Sequence, residues 1–259
     1  MMMSTSTSEA SCLLTVDQST TGTKAVLTDR SGRIMFRYSA SHQQYYPQDG
    51  WAEHDAMELY ENVKAVIRGV IAKAGITPRQ IAGLTITNQR ETALIWNKET
   101  GRPIANAIVW QCRRTAELCD RLKKEGKEPM VQAKTGLLLD PYFSAGKWSW
   151  LLEHAARDIP HEQLLAGTID SWLIWKLTCG RIHATDYTNA SRTQLFNIHT
   201  LQWDEELAEL FGVPLSLLPQ VKACDQIYGM LDEPELFPEK LPIAGVIGDS
   251  QAALFGQQC

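Results

Sequence analysis

The sequence predicts an α/β fold, a central sheet with helices packed against it, and three observations carry that prediction. Short apolar runs bounded by turn residues, CLLTVD, KAVLTD and RIMFRYSA, open the chain. A stretch with apolar residues at helical spacing follows, and two more apolar runs, IAGLTI and TALIW, come after it. Near its end the chain runs strand, turn and helix in PIAGVIGDSQAALFG.

Taken in order, CLLTVD ends at Asp17 and is the first expected strand; QSTTGT is turn-like, KAVLTD the second strand, RSG a tight turn and RIMFRYSA the third. From Asp55, an N-cap by residue type, DAMELYENVKAVIRGVIAKAG places Tyr60, Val63, Ile67, Val70, Ile71 and Ala74 on one face, and Gly75 stops it. This helix is expected to cross over the sheet. IAGLTI and TALIW supply two further strands. The segment between them carries adjacent charges, Arg90 and Glu91, so the first of the two is expected to stop at Thr87 and Asn88–Glu91 to form a turn. QCRRTAELCDRLKKEG predicts a second helix with Cys112, Leu118, Cys119 and Leu122 near one face, and SAGKWSWLLEHAA a third. Further helices are expected from Asp170 (DSWLIWKL) and Asp204 (DEELAELFG). With no internal repeat and no Pro- or Gly-rich linker, one domain over residues 12–259, with an inserted helical portion in its second half, accounts for this order. Residues 1–11, MMMSTSTSEAS, are expected to form a disordered tail.

Composition narrows the function. The 259 residues are 44% hydrophobic and 21% charged, enough to bury a substantial core. The net charge of -5, with basic and acidic residues interspersed, offers no basic stripe for a nucleic-acid backbone. The opening residues lack the order of a secretory signal, and no apolar run reaches the ~20 residues of a membrane span. Six scattered cysteines without a C-x-x-C pair predict reduced thiols and a cytoplasmic setting. The histidines show no metal-ligand spacing, and neither a Walker A loop nor a G-x-S-x-G elbow occurs.

Three stretches offer chemistry. DQSTTGTK, residues 17–24, joins an acid at a strand end to hydroxyls, Gly22 and Lys24; such a turn can present amides and hydroxyls to a phosphate while Asp17 holds Mg²⁺ through water. On its own the stretch reads first as an ordinary hairpin turn, because Ser, Thr and Gly are common in turns. Asp249 follows an apolar strand and Gly248, where catalytic carboxylates gather in α/β folds, and where an Asp also simply caps a helix. Arg90 and Glu91 are neighbours on an extended chain, so they point apart and need other partners. A vicinal diol supplies both an acceptor and a donor; a solvated polar loop is the alternative. Trp110 and Tyr142 are either ligand walls or core aromatics.

TNQRET, NAIVWQCRRTAE, DPYFS, TDYTNASRT and GDSQAALFGQ occur together and in order, and YFSAGKWSWLLEH sets Lys147, Trp150, Glu153 and His154 in register. From about Leu13 to its last residue the chain resembles the N-terminal half of the glycerol branch of the FGGY carbohydrate kinase family. The resemblance implies an actin-like, ribonuclease-H-like α/β domain with a mixed central sheet, and transfer of the ATP γ-phosphoryl group to glycerol. It implies that Arg90, Glu91, Tyr142, Asp249 and Ser250 face the glycerol hydroxyls, with Trp110 against its carbon edge. Asp249 would also be the general base. Thr20, Thr21, Gly22 and Lys24 would contact nucleotide phosphates, and Asp17 would position Mg²⁺.

Three residues depart from the family pattern: Ser19 where Gly is common, Lys24 where Arg is common, and Ser250 where Gln is common. The resemblance also implies a second, nucleotide-binding domain absent from this chain, so the chain alone is expected to fold yet to phosphorylate glycerol at no useful rate. Two rival readings stand beside it, a sibling kinase for another polyol or a ketose, and a non-catalytic actin-like module. Assembly with further copies of the chain is left open.

Overall fold

The computed structural model describes residues 10–259. Most of the expected tail therefore lies outside the described residues; Ser11 donates its amide to the Gln80 carbonyl.

Six strands make the main sheet. β1 (Cys12–Gln18), β2 (Gly22–Asp29) and β3 (Ile34–Ser41) form the expected meander. On the other side of β1 lies β5 (Ile81–Asn88) in parallel, then β15 (Leu241–Gly248), also parallel, and finally β14 (Gly229–Leu231) antiparallel at the edge. Alternation along β1 buries Cys12, Leu14, Val16 and Gln18 and leaves Leu13, Thr15 and Asp17 on the more open face. On the buried face sit α1 (Ala56–Ala74) and α5 (Ile169–Leu177), which close a core with Leu14, Val16, Leu27, Leu84, Ile86 and Ile243. Asp55 caps α1, accepting from the amides of Met57 and Glu58, and Gly75 ends it in the left-handed region at φ 64°.

A second core packs beside the first. Its sheet is built from β4 (Glu53–His54), β6 (Ala93–Asn97), β7 (Arg102–Pro103), β8 (Ala107–Ile108) and β9 (Leu164–Thr168), with β6 between β8 and β9. Around it stand α2 (Ala116–Lys124), α3 (Glu128–Thr135), α4 (Ser144–His154) and α7 (Glu205–Phe211). Two further ladders, β10 (Ala184–Asp186) with β13 (Gln220–Lys222) and β11 (Phe196–Asn197) with β12 (Gln202–Trp203), complete the strands. Short α6 (Tyr187–Ala190) follows β10, and α8 (Asp249–Gly256) follows β15.

Several expectations need correction. The portion beside the main sheet carries its own sheet and draws on residues as early as Ala52, so it is neither purely helical nor confined to the second half. TALIW is a strand, but it lies in this second sheet. β5 runs through Asn88, one residue beyond the expected stop. The second expected helix shrinks to residues 116–124, because Arg113 gives its amide to the Gly50 carbonyl and the Arg114 side chain is drawn to Glu53 at 2.6 Å. Cys112 is buried, in the turn before that helix. α5 starts from Thr168, with Asp170 buried inside its first turn.

Candidate active site

The parallel ladders align three strand ends. Gln18 of β1 and Gly248 of β15 both pair with Asn88 of β5, so the residues that follow each strand emerge at one edge of the sheet. Carboxyl ends of parallel strands are where α/β folds place ligands, since backbone turns there free polar groups from the ladder.

Two residues past β5, Arg90 sends Nε to Asp249 Oδ1 at 3.2 Å and Nη2 to Ser250 Oγ at 2.8 Å. Its stem lies across Gly248, where a Cβ would come within 2.4 Å of Arg90 Cδ, so any larger residue there would have to displace the Arg90 side chain. Asp249 Oδ1 also accepts from the Ser250 amide at 2.7 Å. Asp249 is the first residue of α8, and its side chain remains 45% exposed.

Glu91 adopts φ 59°, a left-handed conformation uncommon outside glycine, and this turns its side chain inward. The carboxylate is 2% exposed and accepts from Arg192 Nε at 2.6 Å, while the Glu91 carbonyl accepts from Ser144 Oγ. Burial raises the Glu91 pKa, opposed by the Arg192 hydrogen bond and the charges of Arg90, Arg192 and Lys147. The Arg90–Glu91 neighbours thus point to different partners, as expected.

Aromatic side chains line this edge. Trp110 donates Nε1–H to Thr20 Oγ1 at 2.9 Å and meets Tyr142 edge to face at 5.5 Å. Arg192 lies 5.8 Å from the Tyr142 ring centre and 5.0 Å from that of Phe143. Beneath them Lys147, fully buried, donates to the carbonyls of Tyr142 and Phe143. Burial pushes its pKa down to about 7, against the pull of Glu91.

At the end of β1, Ser19 and Gly22 close a turn through the Ser19 amide and the Gly22 carbonyl, and Gly22 is required because a Cβ would lie 2.9 Å from the Ala40 carbonyl oxygen. Asp17 and Lys24 are register partners across β1 and β2, and their side chains meet at 3.1 Å. Ser19 Oγ donates to the other carboxylate oxygen at 2.9 Å. The departures Ser19 and Lys24 therefore converge on Asp17, and the third, Ser250, receives Arg90. Thr20 is held from below, its carbonyl accepting from His42 Nε2 and Gln44 Nε2. Thr21 is exposed beside a cavity of about 210 Å³ lined by Ser19, Gly22, Lys24 and Ser39 to Ser41.

The structure brings together Arg90, Asp249 and Ser250; Trp110, Tyr142 and Thr20; and Asp17 with Lys24. Sequence reasoning gave no role to Arg192, the partner of Glu91, nor to Lys147, although both lie in quoted motifs. It also left Thr188 and Asn189 unassigned. The pattern Asp186-Tyr-Thr-Asn189 is an N-cap signature, and Asp186 does accept from the amides of Thr188 and Asn189. Asn189-Ala190-Ser191 fits a glycosylation sequon by residue type, but the Asn189 carboxamide is fully buried and hydrogen-bonded.

Residues 12–256 match the N-terminal domain of the FGGY family of carbohydrate kinases. The chain is 51% identical to glycerol kinase 1 of Thermotoga maritima and 50% identical to a glycerol kinase of Thermus thermophilus, in each case over 95% of its own length and 50% of the other's. Plasmodium falciparum glycerol kinase, solved with ADP, superposes with a TM-score of 0.89 at 36% identity, over 95% of this chain and 50% of that one. A ligand-bound xylulose kinase of Lactobacillus acidophilus shares the fold, with a TM-score of 0.86 at 21% identity over the same shares of the two chains. The chain spans about half the length of the curated relatives it matches. The aligned strand ends, the paired Arg90 and Asp249 and the domain match over nearly its whole length agree, and the chain belongs to the FGGY family of carbohydrate kinases.

Proposed function

We propose that this chain supplies the substrate-holding half of an ATP-dependent glycerol kinase, which transfers the ATP γ-phosphoryl group to a terminal hydroxyl of glycerol and yields sn-glycerol 3-phosphate. The observation that carries this reading is the set of groups beyond β5 and β15. Arg90 is a fixed donor, Glu91 a buried acceptor and Asp249 a half-exposed carboxylate 3.2 Å from Arg90. A triol offers each of them a hydroxyl, as acceptor or as donor. Likeness to glycerol kinases at about 50% identity supports the same substrate.

On this reading Arg90, Glu91, Tyr142 and Ser250 orient glycerol and Trp110 covers its carbon edge. The terminal hydroxyl oxygen forms a bond to the γ-phosphorus as the bond to the β–γ bridging oxygen breaks and ADP leaves. Asp249 takes the hydroxyl proton. Its Oδ1 is held by Arg90 and the Ser250 amide, which leaves Oδ2 for the hydroxyl. The Ser19–Gly22 turn, through Thr20, Thr21 and Gly22, and Lys24 contact the phosphates of ATP.

Asp17 fits a Mg²⁺ held through water. It is a single carboxylate beside that turn, 26% exposed, with one hydrogen bond on each oxygen and lone pairs remaining. Among the described residues no group of three acids, histidines or cysteines forms a cage. Mg²⁺ is commonly bound by one or two carboxylates plus substrate phosphates, where it neutralises charge on the β- and γ-oxygens. A cytoplasmic setting belongs to the same proposal; no described helix is long and apolar enough to cross a membrane.

The test is ADP release by the full-length protein with glycerol, a tetritol and a pentulose. Glycerol is expected to lead in kcat/KM. A pentulose or tetritol in the lead overturns the substrate, and no turnover with any of them favours the non-catalytic module. The 259-residue chain assayed alone is expected to give no useful turnover, and ordinary turnover would overturn the division of labour.

A further inference from the structure

One buried cluster touches both arms of the site without being among the groups assigned to glycerol or nucleotide. Asp186, Thr188 and Asn189 stand at the junction of β10 and α6. Asp186 Oδ1 accepts from the Asn189 amide at 3.0 Å and from Asn189 Nδ2 at 2.7 Å; Oδ2 accepts from the Thr188 amide at 2.8 Å, Thr188 Oγ1 at 2.5 Å and Cys224 Sγ at 3.1 Å.

From this carboxylate two connections lead outward. Asn189 and Asn88 exchange reciprocal side-chain hydrogen bonds of 2.9 and 3.2 Å, both residues fully buried. Thr188 gives its only hydroxyl proton to Asp186, so its lone pairs face outward, and one accepts from the Gly248 amide at 2.7 Å. Asn88 and Gly248 are register partners and the last residues of β5 and β15. Arg90 and Glu91 follow the first, and Asp249 follows the second.

We propose that Asp186, Thr188 and Asn189 are positioning residues: one carboxylate sets the spacing between the Arg90–Glu91 arm and the Asp249 arm, through Asn189 to the first and Thr188 to the second. The kinetic consequence rests on the glycerol kinase reading, whereas the geometry does not. Each group of the latch is buried or nearly so and hydrogen-bonded, and a buried polar group without its partner is costly, so the latch has one low-energy arrangement. Beyond the last ladder pair the two arms are otherwise joined by the Arg90 side chain, which reaches Asp249 and Ser250.

The two connections predict separable effects in the full-length protein. Thr188→Val keeps the side-chain shape but loses the acceptor for Gly248, so kcat is expected to fall about 10- to 100-fold with the KM for glycerol nearly unchanged. Thr188→Ser, which restores the hydroxyl, is expected to recover most of kcat. Asn189→Ala loosens the other arm and is expected to raise the glycerol KM about tenfold with a smaller change in kcat. Hydrogen–deuterium exchange is expected to show faster exchange of the peptide containing the Gly248 amide in Thr188→Val and not in Thr188→Ser. Wild-type kcat in Thr188→Val, or equal loss in kcat and KM effects from both arms, overturns the proposal. If the wild-type protein does not phosphorylate glycerol, the functional reading fails and exchange alone decides the latch: unchanged protection at Gly248 in Thr188→Val overturns it.

Discussion

The two cores place their site residues by different means. On the main sheet, register does the placing: Asp17 faces Lys24 because they are ladder partners, and Asp249 follows Gly248, which is aligned with Asn88. Beside the second core, buried polar side chains do it. Glu91 is turned in by its backbone and pinned by Arg192, and Tyr142 is held by Lys147 beneath its carbonyl. Ladder placement is cooperative along the sheet, whereas each buried ion contact depends on one specific partner, 101 residues away for Glu91 and Arg192 and five for Lys147 and Tyr142.

The largest expected effect tests the sheet side. Asp249→Asn in the full-length protein keeps the size of the side chain and removes the carboxylate proposed as the base, so kcat is expected to fall about 10²- to 10⁴-fold, with glycerol binding retained by calorimetry. Unchanged turnover contradicts the base assignment. Next comes Gly248→Ala, whose Cβ would meet Arg90 Cδ at 2.4 Å and push the guanidinium off Asp249. A rise in glycerol KM of about tenfold is expected, with urea unfolding little changed. A large loss of stability instead would show that β15 cannot absorb the change by moving Arg90 alone.

Lys147→Met sharpens the contrast from the other side. It takes the Lys147 donor from the carbonyls of Tyr142, part-buried, and Phe143, buried, for a loss of about 1–3 kcal/mol in urea unfolding. No loss would mean that the second core does not depend on its buried polar contacts. The same residue separates the cores by pH. Lys147 has its pKa lowered from 10.5 to about 7, so between those values the unfolded chain holds a proton that the folded one lacks, and stability rises with pH through that window. Asp170, in the main core, is raised from 3.8 to about 7 by burial and then by the charge of Asp186. There the folded chain holds the extra proton, and stability falls as pH climbs from about 4 to 7. Asp170→Asn is expected to flatten the lower slope and Lys147→Met the upper one. The smallest effect belongs to Lys24→Ala: the pair with Asp17 is half exposed, so stability should change by less than about 1 kcal/mol, while the KM for ATP rises.

What was legible in the sequence was mostly short-range. The meander, the Asp55 cap and Gly75 stop of α1, and an Asp at the end of a strand before α8 all follow from patterns a few residues long. The helix expected from residue 111 was shortened because Arg114, 2% exposed, leaves it to stack 3.8 Å over Trp51 and pair with Glu53. A helical pattern cannot report that pull. Nor can it report that Asp170 is a buried acid accepting from Thr168 and Thr185 rather than a surface start signal.

By itself the sequence determined the alternation of the strands, the caps of the helices and, through motifs in a fixed order, the family. Only the tertiary structure decided that IAGLTI and TALIW part into different sheets, that Arg192 meets Glu91 across 101 residues and that one Asp ties two strand ends together. Periodicity and capping are set by neighbours along the chain. Sheet membership and the partner of a buried charge are set by which distant segments pack together, and no local window contains them.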